Sequence, residues 1–481
     1  MRPPLVAGVD SSTQSTKVEL RDVATGGLVA AGRARHPSTS PPVSEQDPES
    51  WWSALLEAMA QVSTSLDRVV AVSIAGQQHG LVVLDRAGSP IRPAKLWNDT
   101  TSATQAARLR DRIGAAAWAA RCGVVPVASF TITKLAWLAD REPEHLALVD
   151  KVMLPHDWLT WRLTGRHVTD RGDASGTGWW SPLDGSYRTD LLGLVVDDPE
   201  SWLAKLPAVL GPTEVAGGVL PDVADEIGLA RDVVVGPGTG DNMAAALGLA
   251  LTPQEVTLSL GTSGTAFAVA TSPTRDETGA VAGFADAAGD FLPLVATLNA
   301  TKVTETVARW LGVDVPGLAE MALAGKPRPE LTLIPYFDGE RTPNLPEATG
   351  TWLGLRNDTT REDLALAAFS GVVHGLLTGV DALRAAGVSL DGSLRLIGGG
   401  ARSAAYRQIT ADLWEAPITV HADAEPVATG ACVQAAAVHS RRAPREVAGS
   451  WQLDAGAQVE PNPGVDGARL RAAYRNAARS A

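Results

Sequence analysis

At 481 residues, with 45% hydrophobic and 20% charged side chains, the chain is long enough for two domains or more and can bury a large core. Lys+Arg 41 against Asp+Glu 54 leaves a formal charge of −13, which disfavours a nucleic-acid surface or a polybasic membrane anchor and favours small-molecule partners. Cys122 and Cys432 alone make no disulfide framework or CxxC zinc pair, and the eight His residues form no HExxH.

The first residues enter a strand with no signal-peptide core, and no uninterrupted apolar run is long enough to span a bilayer, so a cytoplasmic protein is expected. Residues 5–10 (LVAGVD), 16–22 (TKVELRD) and 28–35 (LVAAGRAR) alternate as an antiparallel meander. Between the first two strands Ser11, Ser12, Thr13 and Ser15 offer hydroxyls and amides to an anion, Lys17 follows, and Asp10 ends the first strand. The same DSST turn also reads as a solvated hairpin whose Asp caps its own backbone.

Asp47 and Pro48 open a helix with apolar residues at helical spacing. Next comes a strand ending at Gly76, a polar turn of Gln77, Gln78 and His79, and a returning strand. Residues 100–165 are mostly helical, their Trp and Leu residues spaced as core. Residues 169–181 (TDRGDASGTGWWS) make a loop too polar to be buried without partners, with Asp173 as turn former or something more.

Residues 233–251 (VVVGPGTGDNMAAALGLAL) read as a buried strand, a loop of Gly236, Gly238 and Gly240 free to take positive φ, and an Ala-rich helix. Asp241 stands at the junction, where a carboxylate serves as N-cap, as a group facing a ligand crevice, or as both. Residues 256–270 repeat the opening plan of strand, turn (Gly261, Thr262, Ser263, Gly264) and strand, with Thr262 in the place of Thr13. The repeat predicts two domains on one plan, 1–247 and 248–481, with the boundary between 247 and 253. A strand into a polar loop (333–344), a long helix (359–387) and a strand, glycine turn and helix (393–414) follow. Gly398, Gly399 and Gly400 leave backbone bare for a flat ring or a phosphate. Residues 425–440 form a Gly/Ala-rich helix suited to close packing, and 470–481 a basic amphipathic helix end.

No GxxxxGK[ST] is present, GPGTGD fails the GxGxxG spacing, and no HRDLxxxN appears. Two hairpins, a GGGA turn and an acidic residue between the halves suit a nucleoside triphosphate held across a cleft, Asp10 organising a metal ion.

The stretches GVDSSTQSTK, SEQDPESWW, SIAGQQHG, IRPAKLWND, DKVMLPHDWLTWRLTG, TDRGDASGTGWW, GTGDNMAAALG, LSLGTSG, IPYFDGERTP and LIGGGARS, in this order, resemble the FGGY family of sugar kinases, in the actin, hexokinase and Hsp70 superfamily. Within the family the likeness is nearest to its xylulose-phosphorylating members. The resemblance implies an α/β protein of two RNase H-like domains around a central cleft, sugar and base in 1–247 and ATP in 248–481. It implies ATP and Mg²⁺ as cofactors, Asp241 as general base, and Asp10 supporting Mg²⁺ and phosphate. Gln78, His79 and Asn242 would contact the sugar. Thr13, Ser15 and Lys17 in one hairpin and Gly261, Thr262 and Ser263 in the other would hold phosphates, with Gly398, Gly399, Gly400 and Ala401 lining the adenine pocket. Homodimers are common in the family. Four features depart from its pattern: Ser12 replaces a frequent Gly, Gln78 a frequent Met, Ser370 an acidic residue or Gln, and residues 286–302 are shorter. Another pentulose, a hexulose or a polyol as substrate, and a nucleotide-dependent sensor without phosphoryl transfer, are the alternative functions.

Overall fold

A computed structural model describes residues 2–421 and 425–479. Contacts divide the chain into two compact units: Met1–Leu251, Thr271–Leu292 and Glu425–Asp454 form the first, and Thr252–Ala270, Pro293–Ala424 and Ala455–Ala481 the second.

The predicted meander stands in the first unit as antiparallel strands Leu5–Ser11, Ser15–Asp22 and Leu28–Arg35. All seven residues of Leu5–Ser11 are buried because Val69–Gly76 pairs parallel on its other edge and helices cover both faces. Val234–Val235 then pairs parallel with Val69–Gly76, and Gly217–Gly218 closes the sheet antiparallel. One face packs Trp51 and Leu55 of the helix Pro48–Ala60 and Trp158 of Pro155–Thr164. On the other lies Pro426–Ser440, with Val433 and Ala435 against Val6 and Ala71.

The Gly/Ala composition of Pro426–Ser440 has a steric cause. A Cβ at Gly430 would stand 1.8 Å from the Ala244 carbonyl oxygen, one at Gly248 1.9 Å from that of Pro426, and one at Gly8 2.2 Å from that of Ala428. This helix and the helix Asp241–Gly248 therefore meet backbone to backbone, as the predicted close packing requires.

One sequence expectation changes and two become specific. The strand after Gln77–His79 does not return to Val69–Gly76, since that strand already has a neighbour on each edge; Val82–Leu84 pairs instead with Lys151–Met153. The polar loop at 169–181 is largely buried, with Asp170 capping a short helix, Arg171–Ala174. Of the three loop glycines only Gly238 takes a positive φ, +76°. Gly240 makes room instead: a Cβ there would lie 2.7 Å from Gln78 Cγ.

In the second unit Val256–Leu260 and Gly264–Ala268 form the repeated hairpin, extended antiparallel by Phe291–Thr297. Leu394–Ile397 and Ile418–Val420 add in parallel, and Ala457–Val459 antiparallel. This is the strand order of the first unit, so each has the mixed α/β sheet of the actin/hexokinase-like fold. The helix Arg361–Ala385 is long and apolar enough to cross a membrane, but 72% of its apolar window is buried within the protein, which marks a core helix. The predicted terminal helix is Gly467–Ala478, and the last two residues of the chain lie outside the described residues.

Candidate active site

Three strand ends of the first unit open at one edge of its sheet. Ser11 and Gly240 both pair with Gly76, so Asp10, the turn Gln77–His79 and Asp241 emerge side by side at the carboxyl ends of parallel strands. Asp10 is buried. Its Oδ2 lies 3.3 Å from Lys17 Nζ, whose second partner is Glu425 Oε2 at 2.6 Å, while Oδ1 has no hydrogen-bond partner. Burial pushes the Asp10 carboxyl up to about 6, against the pull of Lys17. The turn after it is not the solvated loop of the plainer reading. Thr13 Oγ1 donates to Gln77 Oε1 (3.2 Å) and accepts from Trp97 Nε1 (2.9 Å), its carbonyl accepts from Gln46 Nε2 (2.9 Å), and Ser15 is buried.

Asp241 is the first residue of its helix, and Gly240 takes the N-cap position. The carboxylate accepts instead from Asn242, at 2.8 Å from the backbone N–H and 2.8 Å from Nδ2. Asn242 Nδ2 also reaches Gln78 Oε1 at 2.9 Å, so base candidate, amide and polar turn form one line. Gln78 Nε2 is buried with no hydrogen-bond partner, leaving a donor for a ligand. Burial raises Asp241 to about 7; the charge of Asp10 adds to the rise, and the Asn242 hydrogen bonds oppose it. A carboxylate poised near neutrality is suited to general base work.

His79 sits at φ +66°, its backbone N–H donating to Asp173 Oδ1 at 3.4 Å. Its ring meets Phe130 edge-on at 5.0 Å and Phe284 at 5.4 Å. A Cβ at Gly176 would come within 2.3 Å of that ring, so the 169–181 segment walls the histidine in. Phe130, Phe284, Trp97 and Glu425 were not singled out from the sequence. A lone aromatic or Glu at a turn, a helix entry or a strand carries no local signal of the distant turn it packs on.

The second candidate phosphate turn and the candidate adenine residues lie together in the second unit. The Gly261–Ser263 turn is seated at the start of the helix Thr301–Leu311, the Thr301 N–H donating to the Gly261 carbonyl at 3.0 Å. Gly398, at φ +87°, follows the parallel neighbour strand, and a Cβ there would lie 2.7 Å from the Leu260 carbonyl oxygen. Gly400 is equally tight against Leu260 Cβ, whereas Gly399 has nothing within 4 Å of an added Cβ. Ala401 is buried and closes the turn through its N–H to the Gly398 carbonyl. Ser370 lines a cavity with Arg328 and His374 that none of these glycines borders. Among the described residues no set of three or more His, Cys, Asp or Glu side chains is placed to hold a metal ion.

Two units on the actin/hexokinase-like plan, with glycine turns at strand ends, are the architecture of small-molecule kinases. The chain belongs to the FGGY family of carbohydrate kinases: its residues 5–248 match the family's N-terminal domain and 256–439 its C-terminal domain. It is similar to the xylulose kinase of Streptomyces coelicolor, 49% identical over 456 residues that cover 94% of this chain and 92% of that protein. The crystal structure of xylulose kinase from Bifidobacterium adolescentis superposes with a TM-score of 0.87 at 40% identity, covering 99% of this chain and 100% of that one. A gluconate kinase from Lactobacillus acidophilus, 22% identical and covering 99% and 98% of the two chains, has a TM-score of 0.91, so the shared fold does not select the sugar.

Proposed function

We propose that this chain phosphorylates D-xylulose with ATP, giving D-xylulose 5-phosphate and ADP, with Asp241 as general base. The sugar rests on the 49% identity to a xylulose kinase, and the base on one observation: a carboxyl raised to about 7 and hydrogen-bonded through Asn242 to Gln78. In the step, Asp241 takes the proton of the attacking hydroxyl, the new O–P bond forms at the γ-phosphorus, and the bond to the ADP oxygen breaks. Gln78 Nε2, His79 and Asn242 hold the sugar and fix its hydroxyl toward Asp241. Thr13, Ser15 and Lys17, with Gly261, Thr262 and Ser263, take the phosphates, and Gly398 to Ala401 the adenine. The sugar and base belong to residues 1–247, which also lend their hairpin to the phosphates, and the rest of the ATP site belongs to 248–481.

Mg²⁺ fits at Asp10, whose Oδ1 has no hydrogen-bond partner, because this cation is commonly held by one carboxylate with nucleotide phosphates and water. It supplies neutralisation of phosphate charge.

Asp241→Ala is expected to keep ATP binding and lose xylulose phosphorylation by ~10²–10⁴-fold, the range of a positioned base. Near-normal turnover in that variant overturns the assignment. A sugar panel read by coupled ADP release tests the substrate, and a clear preference for ribulose or gluconate would overturn it.

A further inference from the structure

Behind the turns that carry Gln78–His79 and Asp241 lies a buried charged cluster that the proposed chemistry does not use. The imidazole of His156, on the first turn of Pro155–Thr164, is fully buried. Its Nε2 lies 3.3 Å from Asp157 Oδ1, 3.4 Å from Asp170 Oδ1 and 3.4 Å from Asp173 Oδ2, all three carboxylates being buried.

This ring is wedged between the two turns. A Cβ at Gly76, the residue before the Gln77–His79 turn, would lie 3.0 Å from His156 Cβ, and one at Gly238 would lie 2.5 Å from His156 Nδ1. The carboxylates extend the wedge outward. Asp170 Oδ2 accepts from Thr239 Oγ1 at 2.8 Å, two residues before Asp241, and Asp173 Oδ1 accepts from the His79 N–H at 3.4 Å. Gln434 Nε2 holds the Gly238 carbonyl from the opposite side at 2.9 Å.

We infer that His156 and Asp170 are positioning residues that lock the Gln78–His79 turn and the Asp241 turn in one register. Burial alone would lower the histidine, but Asp157, Asp170 and Asp173 outweigh it and hold it up at about 9, which favours the protonated ring, while burial in turn raises Asp157 to about 6 and Asp173 well above the usual carboxyl range. The ring stands among carboxyl groups of which Asp170 is tied to the Asp241 turn and Asp173 to the Gln78–His79 turn, so pulling either turn away takes a partner from a buried polar cluster and leaves the rest uncompensated. The gain is in geometry: a hydroxyl and its base misplaced by an ångström lose much of their rate advantage.

This inference rests on the proposed role of Asp241. Thr239→Val preserves shape and removes the hydroxyl on Asp170, and Thr239→Ser restores it; both are compared with His156→Gln in the full-length protein. Thr239→Val and His156→Gln are expected to lower kcat by ~10-fold or more and to raise the xylulose KM, with the ATP KM unchanged. Thr239→Ser should return to within about twofold of wild type, and Thr239→Val should stay folded at the assay temperature with a cooperative melt a few degrees below wild type. Folded Thr239→Val with wild-type kcat, or Thr239→Ser as impaired as Thr239→Val, overturns the inference. If Asp241→Ala is inactive while Thr239→Val is normal, only the positioning role has failed. If Asp241→Ala is active, the base assignment has failed first.

Discussion

Replacing Asp241 by Asn should stabilise the protein, and by an amount that depends on pH. The carboxyl has its pKa raised from 3.8 to about 7 by burial and by the charge of Asp10. In the unfolded chain it ionises near 3.8, so between about 4 and 7 the folded state binds the extra proton and stability falls as pH rises. Below 4 the group is neutral in both states and costs nothing; above 7 the full penalty is present. The whole shift corresponds to ~4 kcal/mol at 1.36 kcal/mol per unit. Partial exposure of the side chain screens part of this, and a carboxylate on the first turn of a helix recovers ~0.5 kcal/mol from the helix dipole. Asn keeps an oxygen for the Asn242 N–H. We therefore expect Asp241→Asn to gain ~1–2 kcal/mol at pH 8, read as roughly 2–3 °C in thermal midpoint, and much less at pH 4.5. Thermal unfolding of both proteins at the two pH values is the assay. A gain equal at both, or larger at pH 4.5, would refute the reasoning that desolvation holds this carboxyl up, and with it the account of how the base is tuned.

Other outcomes follow from the same geometry. Gly430→Ala drives a methyl to 1.8 Å from the Ala244 carbonyl oxygen and should cost ~3 kcal/mol or more in urea unfolding; a loss under ~1 kcal/mol would mean the two helices separate easily. Lys17→Met removes the cation 3.3 Å from Asp10 and leaves burial and the Glu425 charge opposed only by Arg33, so the Asp10 pKa should climb above about 6 and the acid limb of ATP use should move to higher pH. An acid limb that stays in place would show that Lys17 does not set the charge of Asp10. The pH profile of Asp241→Ala should lack the acid limb near 7 in whatever residual rate remains.

Much of the candidate site was legible before any coordinates. The meander, the repeated hairpin at 256–268 and the glycine turn at 398–400 announce themselves because β-branched runs, small hydroxylated turns and Gly triplets act through neighbours within a few residues. Asp10 and Asp241 could each be placed at a strand end on those grounds. Asp241 was less well read as a cap, because Gly240 holds that position and the carboxylate turns to Asn242.

Local pattern therefore determined the kinds of element, their order, the duplicated plan and the family motifs. Tertiary structure alone decided how they are paired and charged. It sends the helix Pro426–Ser440 back to the first unit, walls His79 with Phe130 and Phe284, and buries His156 among three carboxylates. Burial and the distance between charges far apart in the chain set the protonation of Asp10 and Asp241, and neither quantity exists until the strands have chosen their neighbours.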